Sequence, residues 1–60
     1  MAGFNYIGKA LFTWEDKQEI LDIAYWADTG TLRVWDGDNE IYLGSIQAHP
    51  AQHVKFLHLN

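Results

Sequence analysis

The chain has 60 residues, 48% of them apolar, with a formal net charge of −4 and no cysteine. Sixty residues suffice for one domain, so we expect residues 1–60 to form a single small domain. A chain this short buries only about 60% of the surface that its unfolded form exposes. Without cysteine it has no disulfide, cysteine-based metal site or cysteine nucleophile. Three residues each of Trp, Tyr and Phe supply large buried areas instead.

The distribution of charge argues against nucleic acid as a direct partner. All eight acidic residues lie between Glu15 and Glu40, accompanied there by only two basic residues. The chain therefore lacks the basic patch that binding a phosphate backbone requires. No stretch approaches the roughly 20 apolar residues of a membrane span, and the N-terminal residues lack the features of a signal peptide. We expect a cytoplasmic protein that does not associate with a membrane.

The first predicted element is a strand. Residues 4–14 alternate with a period of two, which is typical of a strand. Ile7 and Leu11 interrupt the otherwise polar parity, and Gly8 indicates a bend or bulge. We predict an ordered strand over about Gly8 to Trp14 with a looser start. The apolar parity consists of Phe4, Tyr6, Ala10, Phe12 and Trp14.

Residues 19–46 are predicted to form two consecutive β-hairpins after a polar connector at 15–19. The strand 20–27 has a helical alternative, because four of its apolar residues would also form a stripe at helical spacing. Its β-branched and aromatic content favours a strand, as does the following turn with Gly30. The other elements are a strand at 31–35, a turn at 36–39 rich in Asp, Asn and Gly, and a strand at 40–46. Gly44 is a second candidate for a bulge.

Residues 53–59 are either a closing strand or a short helix that begins at Pro50, and we favour the strand. The sequence therefore predicts an all-β fold, a small antiparallel meander of four to five strands. We expect it to curl into an SH3-like barrel or to form a sheet completed by dimerisation, because both faces of the central strands are largely apolar.

The parity of the central strands divides their apolar residues between two faces. We assign the core to six of them: Leu21, Ile23, Leu32, Val34, Ile41 and Leu43. Trp26, Trp35 and Tyr42 then fall on the opposite face together with Arg33. A single sheet of 60 residues does not bury both sets by itself, and Trp, Tyr and Arg are enriched at binding hot spots. We therefore predict a protein interface formed by Trp26, Arg33, Trp35 and Tyr42, with a protein partner or a second copy of the chain (a homodimer).

One segment resembles a known family. Thr31-Leu32-Arg33-Val34-Trp35-Asp36 is similar to the third strand of a WD40 β-propeller blade, and Ala48-His49 stands where that family carries Gly-His. The chain lacks the earlier Gly-His of a blade, and it has one copy where a propeller needs several. No functional residue is carried over from this resemblance.

Other functions have weaker signals. Ser45 is the only serine and no nucleophile–base spacing stands out, so we do not expect an enzyme. No cofactor is expected. A histidine metal site is one alternative, since imidazole is a favoured ligand of zinc and copper; its ligands would be His49, His53 and His58. The second alternative is an acidic nucleic-acid mimic that inhibits a DNA- or RNA-binding protein. Its carboxylates would be Asp22, Asp28, Asp36, Asp38 and Glu40.

Overall fold

A computed structural model describes residues 5–57. Phe4, His58 and Leu59, which the sequence places in predicted strands or at a metal site, lie outside this range. The described chain contains five strands and one short 3-10 helix. In chain order these are β1 (Asn5–Thr13), β2 (Gln18–Trp26), β3 (Thr31–Asp36), β4 (Asn39–Ser45), the 3-10 helix η1 (Ile46–Ala48) and β5 (His53–Leu57).

All five strands belong to one antiparallel sheet in the order β4-β3-β2-β1-β5. The first four follow one another as a meander, and β5 returns to pair with β1 at the far edge. This confirms the predicted all-β meander. The described strands are not closed into a barrel, so the SH3-like barrel is wrong, and completion of the sheet by dimerisation stays a prediction. No helix in the described part of the chain is long and apolar enough to cross a membrane.

Two glycines make the hairpin turns possible. Gly30 has a φ of 73° and donates its backbone N–H to the carbonyl of Trp26 at 2.8 Å, which ends the β2–β3 turn. Gly37 has a φ of 63° and begins the two-residue loop between β3 and β4. Positive φ is costly for residues with a Cβ, so glycine is required at both places. The predicted turns are thus confirmed.

The two segments with helical alternatives are both strands. β2 pairs with β1 along its whole length, from Thr13 opposite Gln18 to Asn5 opposite Trp26, without a register shift. β5 pairs with β1 from Lys9 to Thr13. Both predictions of strand are confirmed. Gly8 lies inside the continuous ladder opposite Ile23, so the predicted bend or bulge at Gly8 is wrong.

The hydrophobic core lies on one face of the sheet, here called the core face. It is formed by inward residues of β1, β2 and β3 at alternate positions, as period two predicts. Four of the six residues assigned to the core from the sequence are in this cluster. The buried cluster comprises Ala10, Phe12, Leu21, Ile23, Leu32 and Val34.

The connection from β4 to β5, residues 46–52, covers the core face. Ile46 donates its backbone N–H to the carbonyl of Gly30, and Gln52 donates to that of Thr13, each at 2.8 Å. These anchors lie at opposite ends of the sheet, so the connection crosses the core face diagonally. Between them, the imidazole of His49 packs against the rings of Phe12 at 5.0 Å and Tyr42 at 4.5 Å between centroids.

A β-bulge in β4 corrects the face assignments made there from sequence. Val34 pairs with Tyr42 but the next residue, Trp35, pairs with Glu40, which leaves Ile41 as the extra residue. A one-residue shift moves every later side chain to the other face. Tyr42 consequently packs against the core, whereas Ile41 is 54% and Leu43 64% exposed. The predictions of a core role for Ile41 and Leu43 are wrong, as is the outward placement of Tyr42.

The glycines of β1 and β4 make room for tyrosine rings. The phenol of Tyr6 lies over Gly8, where an added Cβ would be 2.7 Å from its oxygen, and that of Tyr42 lies over Gly44 at 3.0 Å. Each phenol donates to the carbonyl of the third residue along its strand, at 2.9 Å for Tyr6 and 2.7 Å for Tyr42. The predicted bulge at Gly44 is wrong, since Gly44 pairs in register with Leu32.

Candidate protein interface

The second face of the sheet, here called the outer face, is organised in rows that run across the strands. Residues paired between neighbouring strands share a face, so the register defines these rows directly. Three of them span four or more strands, and the two that matter most are here called the two long rows. The apolar row is Ile7–Ala24–Arg33–Leu43. The charged row is Lys9–Asp22–Trp35–Glu40, and Leu57 of β5 extends it beyond Lys9.

Large aliphatic side chains are exposed on this face. Ile7 is 82% exposed and Leu43 is 64% exposed, at the two ends of the apolar row, and Ile20, opposite Leu11, is 60% exposed. None of the described residues covers them. By contrast, Ala24, in the middle of the apolar row, is only 5% exposed, because the longer side chains next to it shield it. All three exposed aliphatic groups lie on the face that the described residues leave uncovered.

The four charged side chains of the two long rows are paired within the chain. The ammonium of Lys9 lies 2.7 Å from a carboxylate oxygen of Asp22. Arg33 donates two hydrogen bonds to Glu40, from Nε at 2.8 Å and from Nη2 at 2.9 Å. This hydrogen bonding lowers the pKa of Glu40 and raises that of Arg33, and the attraction between the two charges acts in the same direction. The guanidinium of Arg33 also lies 5.1 Å from the centroid of a Trp35 ring, a favourable cation–π geometry.

Three of the four residues predicted for the interface lie on the outer face. Arg33 and Trp35 are in contact there, and Trp26 lies in a further row opposite Asn5 and Thr31. All three are half-buried. The β-bulge in β4 places Tyr42 on the core face, where its phenol donates a hydrogen bond to the backbone carbonyl of Ser45.

Sequence reasoning missed Ile7, Ile20 and Leu43 as the most exposed apolar groups of this face. A signal for them was present in the sequence. Ile7 breaks the polar parity of β1, and Tyr6-Ile7-Gly8 recurs as Tyr42-Leu43-Gly44. In both copies the tyrosine folds over the glycine on the core face, so the aliphatic residue between them must point outward.

The predicted histidine ligands do not come together. His49 is held in the core face, where its Nδ1 accepts a hydrogen bond from the backbone N–H of Ala51 at 3.1 Å. Burial lowers its pKa. His53 pairs with Thr13 and is exposed on the outer face, and His58 lies outside the described residues. Within 5–57 no three potential metal-ligating side chains cluster.

The acidic residues of the proposed nucleic-acid mimic are divided among separate regions. Asp22 and Glu40 are neutralised by ion pairs on the outer face. Asp28 lies in the β2–β3 turn, and Asp38 in the β3–β4 turn at the other end of the six-residue strand β3. At about 3.3 Å per residue these turns are about 20 Å apart. Asp28 therefore lies far from Asp38, and the role of a nucleic-acid mimic stays a prediction.

Together these features define a small all-β domain in which the described residues cover one face of the sheet and leave the other uncovered. This outer face carries aliphatic, aromatic and paired charged groups. No family model, no curated protein and no solved structure matches the chain.

Proposed function

We propose that the chain is a non-enzymatic interaction module that binds a protein through its outer face. The observation that carries this proposal is the exposure of Ile7, Ile20 and Leu43 on one face of a single sheet. A monomeric domain of this size gains most of its stability by burying apolar area. Leaving large aliphatic groups in water on one face is unfavourable unless another surface covers them.

The composition of the outer face supports a protein as the partner. Trp35 and Arg33 stack at its centre, and such residues anchor many protein interfaces. The basic groups of the two long rows, Lys9 and Arg33, are each neutralised by a neighbouring carboxylate, so these rows present no positive patch toward a phosphate backbone. The shape supports it as well, because an open sheet presents a broad surface rather than the concave site typical of small ligands.

Site-specific photocrosslinking tests the proposal. A benzophenone amino acid replaces Leu43 on the outer face in one variant and Gln47 in a matched control. Gln47 is equally solvent-exposed, but it lies in the connection that covers the core face. We expect protein adducts from position 43 and none from position 47, in cells that express the chain and with the purified chain. Adducts absent from position 43, or equal from both positions, would contradict an interface on the outer face.

A further inference from the structure

We propose that the protein bound by the outer face is a second copy of this chain, packed face to face about a twofold axis. The axis runs along the strands, between β2 and β3. This inference rests on the proposed function and specifies its partner. It follows from the order of residues in the two long rows, which are complementary to themselves when one copy is reversed.

A twofold axis along the strands reverses the strand order of the second copy but keeps each row opposite itself. In the apolar row, Ile7 of one copy then lies opposite Leu43 of the other, and the same contact occurs a second time by symmetry. These are the two most exposed large aliphatic side chains of the described residues. Each therefore finds an apolar partner, while Ala24, the smallest side chain of the row, lies opposite Arg33.

The charged row is complementary under the same operation. Lys9 of one copy lies opposite Glu40 of the other, in each of two symmetric places. Within each chain Lys9 already pairs with Asp22, and Glu40 pairs with Arg33. The contact between copies therefore joins two existing ion pairs into one chain of alternating sign: Asp22, Lys9, then Glu40 and Arg33 of the second copy. Complementary charges of this kind fix the register of an interface.

A twofold axis that is perpendicular to the strands and passes through the charged row is unfavourable. It would place β1 on β1 and each strand on its own copy. Lys9 would then face Lys9, Asp22 would face Asp22 and Glu40 would face Glu40. Like charges opposite one another disfavour wrong pairings at interfaces. The order of charges thus favours the axis along the strands over this arrangement.

The net charge of the chain does not oppose this association. The acidic residues that make no ion pair among the described residues all lie in connections or at a strand end, away from the two long rows. They remain at the rim of the proposed dimer, where water and salt screen their repulsion. They are Glu15, Asp16, Asp28, Asp36 and Asp38.

Sedimentation equilibrium tests the dimer and its geometry together. We expect the wild-type chain to move from 6.9 kDa to twice that mass between about 1 µM and about 1 mM, because small interfaces are often weak. Ile7→Lys or Leu43→Glu alone breaks two symmetric contacts. Each should weaken association by about 100-fold, which is tenfold for every 1.4 kcal/mol lost at each contact.

Complementation between two charged variants distinguishes this geometry from non-specific hydrophobic association. An equimolar mixture of Ile7→Lys and Leu43→Glu should form a heterodimer, because the introduced lysine and glutamate meet across the axis while the unchanged pair meets apolar to apolar. The double variant should recover a homodimer. Within one chain positions 7 and 43 are three strand spacings apart, about 14 Å, so an internal ion pair does not explain the recovery. The reversed pair, Ile7→Glu and Leu43→Lys, repeats the test, and circular dichroism confirms folding of each variant.

Two results would overturn the inference. One is a wild-type chain that stays monomeric over the whole concentration range. The other is failure of folded complementary variants to form a heterodimer while the wild type dimerises, which would reject the axis. The photocrosslinking at position 43 separates these failures from failure of the proposed function. Adducts with a different protein alone would retain the interface and reject the second copy, whereas no adduct at all would reject both.

Discussion

The two faces of the sheet are built from the same strands but differ in how far their side chains are buried. On β1, the side chains of Ala10 and Phe12 point to the core face and have no exposed surface, while Ile7 on the outer face is 82% exposed. The core face is covered by residues 46–52 of the same chain. None of the described residues performs that role for the outer face. Only one connection of the described chain is long enough to cross the sheet, so the described residues cover only one of its two faces.

The faces also treat polar groups differently. The core face encloses a single imidazole, that of His49, packed among rings and accepting one hydrogen bond. The outer face places full charges in pairs between its apolar groups, as with Arg33 and Glu40. Exposed ion pairs contribute little to stability but tolerate water. The outer face is therefore compatible with both a hydrated monomer and a covered complex, whereas the core face is not.

The largest expected difference between the faces is in the cost of truncation. Phe12→Ala removes a fully buried ring and should destabilise the fold by about 3–5 kcal/mol, which is most of the stability of a domain this small. Ile7→Ala, on the other face of the same strand, should change the free energy of unfolding by less than about 0.5 kcal/mol. Urea denaturation at low protein concentration measures both. Similar losses for the two variants would show that the outer face is packed in the monomer.

The glycines under the tyrosines should be the next most sensitive positions. In Gly8→Ala the new methyl group lies 2.7 Å from the Tyr6 hydroxyl, which also donates to the carbonyl of Leu57 in β5 at 2.7 Å. Displacing the phenol should cost about 1–3 kcal/mol. Gly44→Ala meets the phenol of Tyr42 at 3.0 Å and should cost less.

A double-mutant cycle with Tyr6→Phe tests the cause. The phenolic oxygen is the atom nearest the added methyl group, so Gly8→Ala should cost less in the Tyr6→Phe background than in the wild type. Full additivity of the two substitutions would place the strain elsewhere.

Much of this fold follows from period two alone, and the errors in assigning residues to faces have a single source. β2 and β3 pair with each other without a register shift. The core residues of these two strands were therefore predicted correctly: Leu21, Ile23, Leu32 and Val34. In β4 the bulge adds one residue. Bulges depend on the twist and pairing of two strands rather than on a motif in either one, so parity counted from the turn gave the wrong face for three residues: Ile41, Tyr42 and Leu43.

The interface was predicted in part for the same reason. Trp26, Arg33 and Trp35 lie on strands whose parity holds, and the sequence placed them correctly on the face opposite the core. Of the outward aliphatic residues, Leu43 was assigned to the core and Ile7 was treated as an exception to the polar parity. Whether a surplus apolar face is covered depends on the path of residues 46–52. That path is fixed by the backbone hydrogen bonds of Ile46 and Gln52, and no pattern in the sequence predicts these bonds.

The single imidazole of the core face should make stability depend on pH. Burial holds the pKa of His49 below its ordinary value of 6.5, so the unfolded chain binds a proton at higher pH than the folded chain does. Stability is therefore full above pH 6.5 and falls as the pH drops from there through the lower folded pKa. Tyr42 is the one other titratable group whose ring packs on His49.

Thermal unfolding at pH 7.5 and pH 5 measures this effect. We expect a lower melting temperature at pH 5 for the wild type and a smaller difference for His49→Gln, which retains an acceptor without a titrating ring. His53→Gln is the matched control, because His53 is exposed on the other face, and it should behave as the wild type. An equal loss in His49→Gln would assign the pH dependence to other groups.

Breaking one ion pair of the outer face should have little effect on the stability of the monomer, but it should change association. Lys9 and Asp22 have side chains about half exposed, at 55% and 48%, so Lys9→Gln should change the stability of the monomer by less than about 1 kcal/mol, and less still at high salt. Lys17→Gln is the control, since Lys17 pairs with Glu19 at 3.3 Å in the connector outside the two long rows. The two variants should have the same stability in urea denaturation.

In sedimentation equilibrium only Lys9→Gln should weaken association, because only Lys9 lies opposite Glu40 of the second copy. Equal weakening by both variants would mean that association follows net charge rather than the order of charges on the outer face.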